Sequence, residues 1–292
     1  MDLVVNVKEL PREGETLFGH GLAEAPGGKG ANQAAAIGKL GIPAAMIGKV
    51  GADANGSKLI ESLRSAGADV SSVMTSDRPT GMALITVDQA ARNHIVVVPG
   101  ANGDLTPADI ESQREVIEQA DVVVLQLEIP METVSYALEL AKSLGKTTIL
   151  NPAPSRELSA DILSRVDYLI PNEHELQAIA GIRRLDEASI REAALRFAMQ
   201  GARHLIVTLG DRGCCHSDGH SVVFHEAYAV KATDTTAAGD SFIGGFAAGL
   251  AEGLDVGDAI RFAMKTAAIT VTRHGAQSSL PSREEVLAFP NI

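Results

Sequence analysis

From about residue 44 onward the chain alternates between short continuous apolar runs and longer stretches with a helical period. Residues 45–50, 122–127, 147–151, 168–171 and 205–209 are apolar on successive positions, as expected of parallel strands buried on both faces. Residues 106–119, Met131–Ser143 and Glu187–Met199 instead space their apolar positions three or four apart, which predicts amphipathic helices. This rhythm predicts an α/β fold: a doubly wound, mostly parallel sheet flanked by helices. In such sheets binding groups collect at the carboxyl ends of strands, where Glu128, Asn151, Asn172 and Thr208 fall. Two regions break the rhythm. Residues 3–7 with 16–25, and 82–88 with 93–98, alternate like hairpin strands, with turn residues at 11–14 and 89–92.

At 292 residues the chain has room for one large domain and a smaller appendage. A 45% hydrophobic content with 3% aromatics and no Trp predicts a core packed by aliphatic side chains. The net charge of -12 argues against a nucleic-acid surface, which requires a basic stripe. An anionic ligand must therefore be held by local donors and cations and not by the overall field. No apolar stretch reaches 18 residues and no signal-peptide layout is present, so a soluble, cytoplasmic protein with no membrane partner is expected. Cys214 and Cys215 are adjacent and read as two small strand residues in a reducing compartment.

The candidate chemistry starts at Asp234-Thr235-Thr236-Ala237-Ala238-Gly239-Asp240, which leads into the apolar run 241–250. A small-residue turn at a helix start exposes unpaired N–H groups and adds the positive end of the helix dipole, so an anion is welcome there. A carboxylate in that place is a common helix cap. It repels an anionic ligand, unless it takes a proton from a hydroxyl that then attacks a phosphoryl group. A second turn, Gly27-Gly28-Lys29-Gly30-Ala31-Asn32, brings one Lys and one Asn to a close-approach backbone, which suits hydroxyl oxygens. Lys29 is not a P-loop lysine, because Gly30 follows where Ser or Thr is required. No G-x-G-x-x-G is present, and His174-Glu175 lacks the second His of a zinc site, since Ala178 stands there.

These two motifs resemble the signatures of the ribokinase-like family of sugar kinases. Leu125-Gln126-Leu127-Glu128, Asn151-Pro152-Ala153-Pro154, Pro171-Asn172-Glu173-His174-Glu175, Thr208-Leu209-Gly210-Asp211-Arg212-Gly213 and Thr272-Arg273-His274-Gly275-Ala276-Gln277 extend the resemblance, in order, over nearly the whole chain. The resemblance implies segments 1–25 and 80–100 as a small β-sheet lid over a core made of 26–79 and 101–292. It implies ATP-dependent phosphorylation of D-ribose at O5, with deoxyribose, another pentose or a nucleoside as alternative acceptors. A catalytically impaired sugar-binding protein is the reading from another class. Asp240 would be the general base, and the amides of Ala237, Ala238 and Gly239 the anion hole. The sugar site would draw on Asp2, Gly28, Lys29, Gly30, Ala31, Asn32, Glu128 and Asp240. The nucleotide would lie along Asn172, Thr208, Leu209, Gly210, Asp211, Arg212, Gly213 and Gly239, with Met264 near the adenine or simply filling a helix face. Magnesium would be reached by Glu175 through water, and potassium held by Asp234, Thr236, Thr270, Arg273, Gly275 and Ser279. The lid implies a homodimer. One departure stands out. The family begins with a core strand and a Gly-Ser-x-Asn-x-Asp segment, whereas here Asp2 matches the last Asp and the strand and Asn before it have no counterpart. A shortened sequence start accounts for this most simply, and a missing central strand exposes two pairing edges.

Overall fold

The computed structural model describes residues 1–90 and 92–290. Strands are numbered β1–β14 and helices α1–α11 in chain order. The large sheet has six strands in the order β14-β13-β12-β11-β10-β9. Four are parallel: β9 (Val122–Leu125), β10 (Thr147–Leu150), β11 (Tyr168–Leu169) and β12 (His204–Thr208). The antiparallel edge is formed by β13 (Cys214–Ser217) and β14 (Val222–His225). The four apolar runs from 122 onward are thus strands of this sheet, ending a residue or two short of the pattern because their last residues turn into the loops above the sheet.

The first run, 45–50, behaves differently from expectation. It splits into β3 (Ala44–Ala45) and β4 (Gly48–Gly51), which pair in parallel with β5 (Ala68–Asp69) and β6 (Val73–Ser76) and not with the large sheet. Ala45 is exposed. The expected buried strand is therefore interrupted, and its inner edge has no ladder partner among the described residues.

The two hairpin regions meet in one four-stranded sheet. β1 (Asp2–Asn6) pairs antiparallel with β2 (Gly21–Ala25), and β7 (Met82–Val87) with β8 (Asn93–Val98). β1 and β7 then join in parallel, so segments eighty residues apart complete each other's ladder.

Helices cover both faces of the large sheet. α5 (Met131–Ser143) and α8 (Glu187–Met199) match their pattern. The expected single helix over 106–119 is two, α3 (Pro107–Ser112) and α4 (Arg114–Gln119), broken at Gln113, whose φ of -106° and ψ of 19° leave the helical region. α3 starts at a reciprocal capping box between Thr106 and Asp109, with Pro107 at the first position, where a missing N–H costs nothing. With α6 (Ala160–Leu163) and α7 (Glu173–Ala180), these helices enclose an aliphatic core on one face, including Leu127, Leu138, Leu150 and Leu176. On the other face lie α1 (Lys29–Lys39), α9 (Ala238–Ala251) and α10 (Val256–Thr270), with Phe246, Ile149, Ile206 and Ile260 between helices and sheet. α2 (Ala54–Ser65) and α11 (Arg283–Ala288) complete the set.

The 241–250 run is α9, buried from Asp240 through Gly249. Its glycines are contact surfaces. A Cβ on Gly244 would lie 2.5 Å from Ala36 Cβ of α1, and one on Gly245 would lie 2.8 Å from Thr266 Oγ1 of α10. Only a bare backbone lets α9 pass this close to both neighbours, and that closeness sets the spacing of the site at its N-terminus. Cys214 and Cys215 are buried and unpaired in β13, and burial pushes their thiols up to about 12 and about 11. They are protonated, inert strand residues, as the sequence suggested.

Candidate active site

The site gathers at the carboxyl end of β9 and the N-termini of α1 and α9. Asp240 is the third residue of α9 and does not cap it. Its Oδ2 accepts a hydrogen bond from Asn32 Nδ2 at 2.9 Å, and its Oδ1 one from Gln33 Nε2 at 2.9 Å. Burial raises its carboxyl above the ordinary value, opposed by the nearby Lys29 ammonium and by the two amide bonds. Both amides are held in turn. Gln126 Nε2 donates to Gln33 Oε1, Gln277 Nε2 donates to Asn32 Oδ1 at 3.3 Å, and Ser62 Oγ donates to Gln277 Oε1 at 2.6 Å. The carboxylate therefore sits at the focus of an amide relay that fixes its orientation. Gln33, Gln126 and Gln277 have no role in the sequence reading, although two of them lie inside its motifs. Their signal was polar amides placed among residues bound for burial.

Asp2 and Glu128 complete an acidic group around the Lys29 turn. Glu128 Oε2 accepts the backbone N–H of Lys29 at 2.9 Å, which α1 leaves free in its first turn. Burial raises the Glu128 carboxyl; the Lys29 N–H works against this, while Asp240 and Asp2 add to it. Asp2 is likewise raised by burial, relieved by the adjacent N-terminal ammonium and raised further by Asp240. Gly28, at φ 95°, turns the chain into α1 as only glycine does readily, and a Cβ on Gly27 would lie 2.1 Å from Asp2 Oδ2. Three carboxylates with one nearby ammonium, at the end of a cavity, form a set of acceptors suited to a polyhydroxylated ligand.

At the other turn, Ala237 stands at φ 59°, the sole non-glycine residue at positive φ among those described. Such strain persists where the surroundings hold it, and it tips the following N–H groups into a common concavity. Ala238 N–H donates to Thr235 O at 3.2 Å, and Ala237 O accepts from Ser241 N at 2.8 Å, so Ala237 and Gly239 present the free donors. Asp234 ties this loop down: its Oδ1 accepts from Thr236 N and its Oδ2 from Gly275 N, both at 2.9 Å. Thr233 and Asp234 N–H both donate to Val271 O. The residues expected around potassium thus lie on two joined segments. Thr270 Oγ1 donates to Thr266 O, Ser279 Oγ donates to Ala276 O and the Arg273 guanidinium pairs with Glu285. The first two hydroxyls keep their acceptor lone pairs.

One cavity of about 2070 Å³ holds Asp2, the 27–32 turn, Glu128, Asp240, residues 233–237 and residues 274–276. The inward face of the small sheet, with Val4, Ala23, Ile85 and Val97, roofs the end that holds Asp2 and Glu128. The expected nucleotide residues do not line it. Asn172 and Thr208 bridge β11 and β12 at their carboxyl ends, and Gly210 and Gly213, at φ 60° and 89°, shape the turn beyond. Arg212 pairs with Glu173. Leu209 is buried in the core, so only its backbone is available. Glu175 is buried and caps α7, with Oε2 accepting from Asn172 N at 2.8 Å and Asn151 Nδ2 at 3.3 Å. Met264 is buried with its Sδ 3.7 Å from Cys214 Sγ, filling a helix face. Among the described residues no three His, Cys, Asp or Glu side chains cluster to hold a metal, and no helix is long and apolar enough to cross a membrane.

A buried carboxylate beside free amides at a helix start, facing an acidic hydroxyl site on a doubly wound sheet, defines a kinase-type site. The family model for pfkB family carbohydrate kinases matches residues 1–283, and the chain belongs to that family. It is 40% identical to a ribokinase of Haemophilus influenzae over 289 residues, which covers 99% of this chain and 94% of that protein. It is 38% identical to a deoxyribokinase of Salmonella typhimurium over 287 residues, covering 98% and 94%. Among solved structures it resembles an Arabidopsis thaliana ribokinase complexed with ribose and ATP, with a TM-score of 0.90, 31% identity and coverage of 98% and 94%.

Proposed function

We propose that this chain transfers the γ-phosphoryl group of ATP to O5 of D-ribose, giving D-ribose 5-phosphate and ADP. The observation that carries this reading is Asp240: buried, capping nothing, held by Asn32 and Gln33, and open to a cavity that also holds Asp2 and Glu128. Asp2, Glu128, Lys29 and Asn32 take the sugar hydroxyls, with Gly28, Gly30 and Ala31 as the close-approach backbone. Asp240 accepts the proton of the primary hydroxyl as its oxygen attacks phosphorus. The N–H groups of Ala237, Ala238 and Gly239 receive the charge on the transferred phosphoryl, Ala238 by giving up its bond to Thr235 O. ATP lies along Asn172, Thr208–Gly213 and Gly239, and the small sheet acts as a lid that keeps water from competing for the phosphoryl group.

Two ions belong to this reading. Glu175, a buried carboxylate at the strand ends, would hold magnesium through water, and the ion would supply charge neutralisation to the nucleotide phosphates. The donor set for potassium is oxygen-only: Asp234, the hydroxyls of Thr236, Thr270 and Ser279 and the carbonyls of Arg273 and Gly275. Such a set suits a hard cation, which would order the 234–239 turn without touching substrate. The outer face of the small sheet exposes Leu22 (67%), Val96 (59%) and Leu84 (44%), with Leu84 and Val96 in register. This contiguous apolar face supports a homodimer through the lid. The two buried, unpaired cysteines fit a reducing, cytoplasmic setting.

The resemblance to a deoxyribokinase makes 2-deoxyribose the second acceptor to test. Coupled measurement of ADP release compares D-ribose, 2-deoxyribose and no sugar, in potassium and then in sodium. Ribose-dependent turnover that rises with potassium supports the reading. Turnover with deoxyribose alone reassigns the acceptor, and silence with every sugar from folded protein leaves a binding role.

A further inference from the structure

The proposed nucleotide enters a cavity of unfavourable local charge. Asp2, Glu128 and Asp240 already stand around the Lys29 turn, and a polyphosphate brings several more negative charges to the same space. Among the described residues, the basic side chains that line the cavity are Lys29, Lys49, Arg156 and His274. Lys49 is engaged by Asp109 at 2.6 Å, and His274 Nδ1 lies 4.0 Å from Asp234 Oδ2. Lys29 acts on Asp240 and Glu128. Arg156 is the one of the four with nothing to offset: it is exposed, and among the described residues its guanidinium makes no ion pair and no hydrogen bond.

The fold puts this free guanidinium midway along the carboxyl edge of the large sheet. The loop after β10 carries Arg156. Glu128 follows β9 on one side of it, and Asn172 follows β11 on the other, bridged to Thr208 at the end of β12. Two strand spacings, about 10 Å, separate β9 from β11, and the Arg156 loop stands between them. Its base is fixed from both sides: Leu127 N donates to Ala153 O and Asn151 Nδ2 to Ile170 O, both at 2.9 Å. At its far end Leu158 packs on the aliphatic core ahead of α6. Between these anchors, residues 154–158 make no backbone hydrogen bond among the described residues, so nothing ties Arg156 away from the cavity. The helix that the loop enters, α6, packs on the sheet face opposite α9. Arg156 and the amides of Ala237 and Gly239 therefore approach the cavity from two sides.

We propose that Arg156 is a phosphate-binding residue: its guanidinium takes oxygens of the terminal phosphates of the nucleotide, across the cavity from the amides at the start of α9. A guanidinium presents two parallel N–H groups to a phosphate and keeps its charge at every working pH. Placed between the acceptor carboxylates and the nucleotide turn, it offsets the charge that the phosphoryl group carries as it passes from one to the other. This inference rests on the proposed transfer from ATP and stands whichever sugar accepts the group.

The test compares Arg156→Ala and Arg156→Lys with Arg183→Ala, which removes an equally exposed and unpaired arginine outside the cavity. Calorimetric titration with MgATP comes first, because it needs no turnover, and the coupled ADP assay with D-ribose follows. Arg156→Ala keeps the wild-type Tm, weakens ATP binding at least about tenfold through the lost charged hydrogen bonds, and lowers kcat about 10²-fold, with KM for ribose little changed. Arg156→Lys recovers only part of either loss, since a point charge lacks the paired donors. Arg183→Ala behaves as wild type. An ATP affinity of Arg156→Ala within about twofold of wild type, or an equal loss in Arg183→Ala, overturns the proposal. Failure of the kinase reading gives a different pattern: wild type binds ATP but transfers nothing to any sugar, and a binding loss in Arg156→Ala then still supports the phosphate contact. Wild type that binds no ATP overturns both.

Discussion

Replacing Asp240 by Asn separates the proposed proton transfer from the architecture that surrounds it. The carboxylate accepts from two amide donors, Asn32 Nδ2 and Gln33 Nε2. An asparagine keeps one acceptor oxygen and turns an NH2 toward the other donor. Gln33 cannot simply flip, because its oxygen already accepts from Gln126. One buried donor pair is thus left facing itself, a cost of about 1–3 kcal/mol. Against this stands the removal of a charge that burial disfavours. Because the folded carboxyl titrates above its ordinary value, the native state holds a proton that the unfolded chain has released above about pH 4. Stability from this group therefore falls as pH rises from there through the raised value, and Asp240→Asn regains it at neutral pH. The two effects oppose, so the variant stays folded with a modest change in Tm. The rate does not share this cancellation. Loss of a general base costs about 10²–10⁴ in kcat, or roughly 2.7–5.4 kcal/mol in the barrier. The coupled ADP assay should show that drop with sugar affinity largely kept. The acid limb of the wild-type pH profile, which rises as Asp240 ionises, should vanish. A kcat within a factor of a few of wild type, with the acid limb intact, refutes the assignment of Asp240 as base.

Gly27→Ala places a methyl 2.1 Å from Asp2 Oδ2, the movable end of a side chain, so the fold tolerates it while Asp2 is displaced; KM for the sugar should rise about tenfold or more, from one lost hydrogen bond to a charged group, with kcat changed much less. Gly244→Ala drives a methyl to 2.5 Å from Ala36 Cβ and 3.1 Å from Gln33 O; overpacking of about 1–3 kcal/mol should lower Tm by several degrees in calorimetry, and kcat should fall too, because Gln33 orients Asp240. Val96→Lys on the outer face of the small sheet should shift the proposed lid-to-lid dimer to monomer in sedimentation, leaving far-UV circular dichroism unchanged. Asp167 accepts from Lys142 Nζ and Thr148 N, and these hold its carboxyl below the usual range despite burial. Its stabilisation is present above about pH 4 and lost on acidification below it, so the stability gap between wild type and Asp167→Asn in urea titrations should shrink as pH is lowered.

The parallel strands were legible because burial on both faces writes a continuous apolar run, as at Val122–Leu125 and Thr147–Leu150. The same rule misled at 45–50, where Gly48 and Lys49 interrupt the run and the neighbouring strand position is open. A run reports that a segment can be buried, not that a partner stands beside it. The break of 106–119 at Gln113 left no mark, since glutamine is an ordinary helix residue. At the site, the motif residues Asp240, Asn32 and Glu128 were readable because turns and helix starts limit what a polar residue can do there. The orienting glutamines were not. Gln33 lies 207 positions from Asp240, and Gln277 lies 245 from Asn32. No local pattern encodes a contact made only when α1, α9 and the 274–279 turn close together.

That closure shows why the proposed base and the packing cannot be varied separately. Gly244 brings α9 against α1 at Ala36 and Gln33, and one turn earlier Asp240 meets Asn32 and Gln33 of the same helix. The helix–helix distance that the glycine permits is therefore also the distance that lets two short amides reach one carboxylate. A wider crossing would leave Asp240 buried without donors, and a buried unpaired carboxylate would take up a proton and cease to act as a base. The small residues of α9 thus serve the proposed chemistry through geometry: they hold the carboxylate within hydrogen-bond reach of two amides that, with the Lys29 ammonium, keep it available for ionisation.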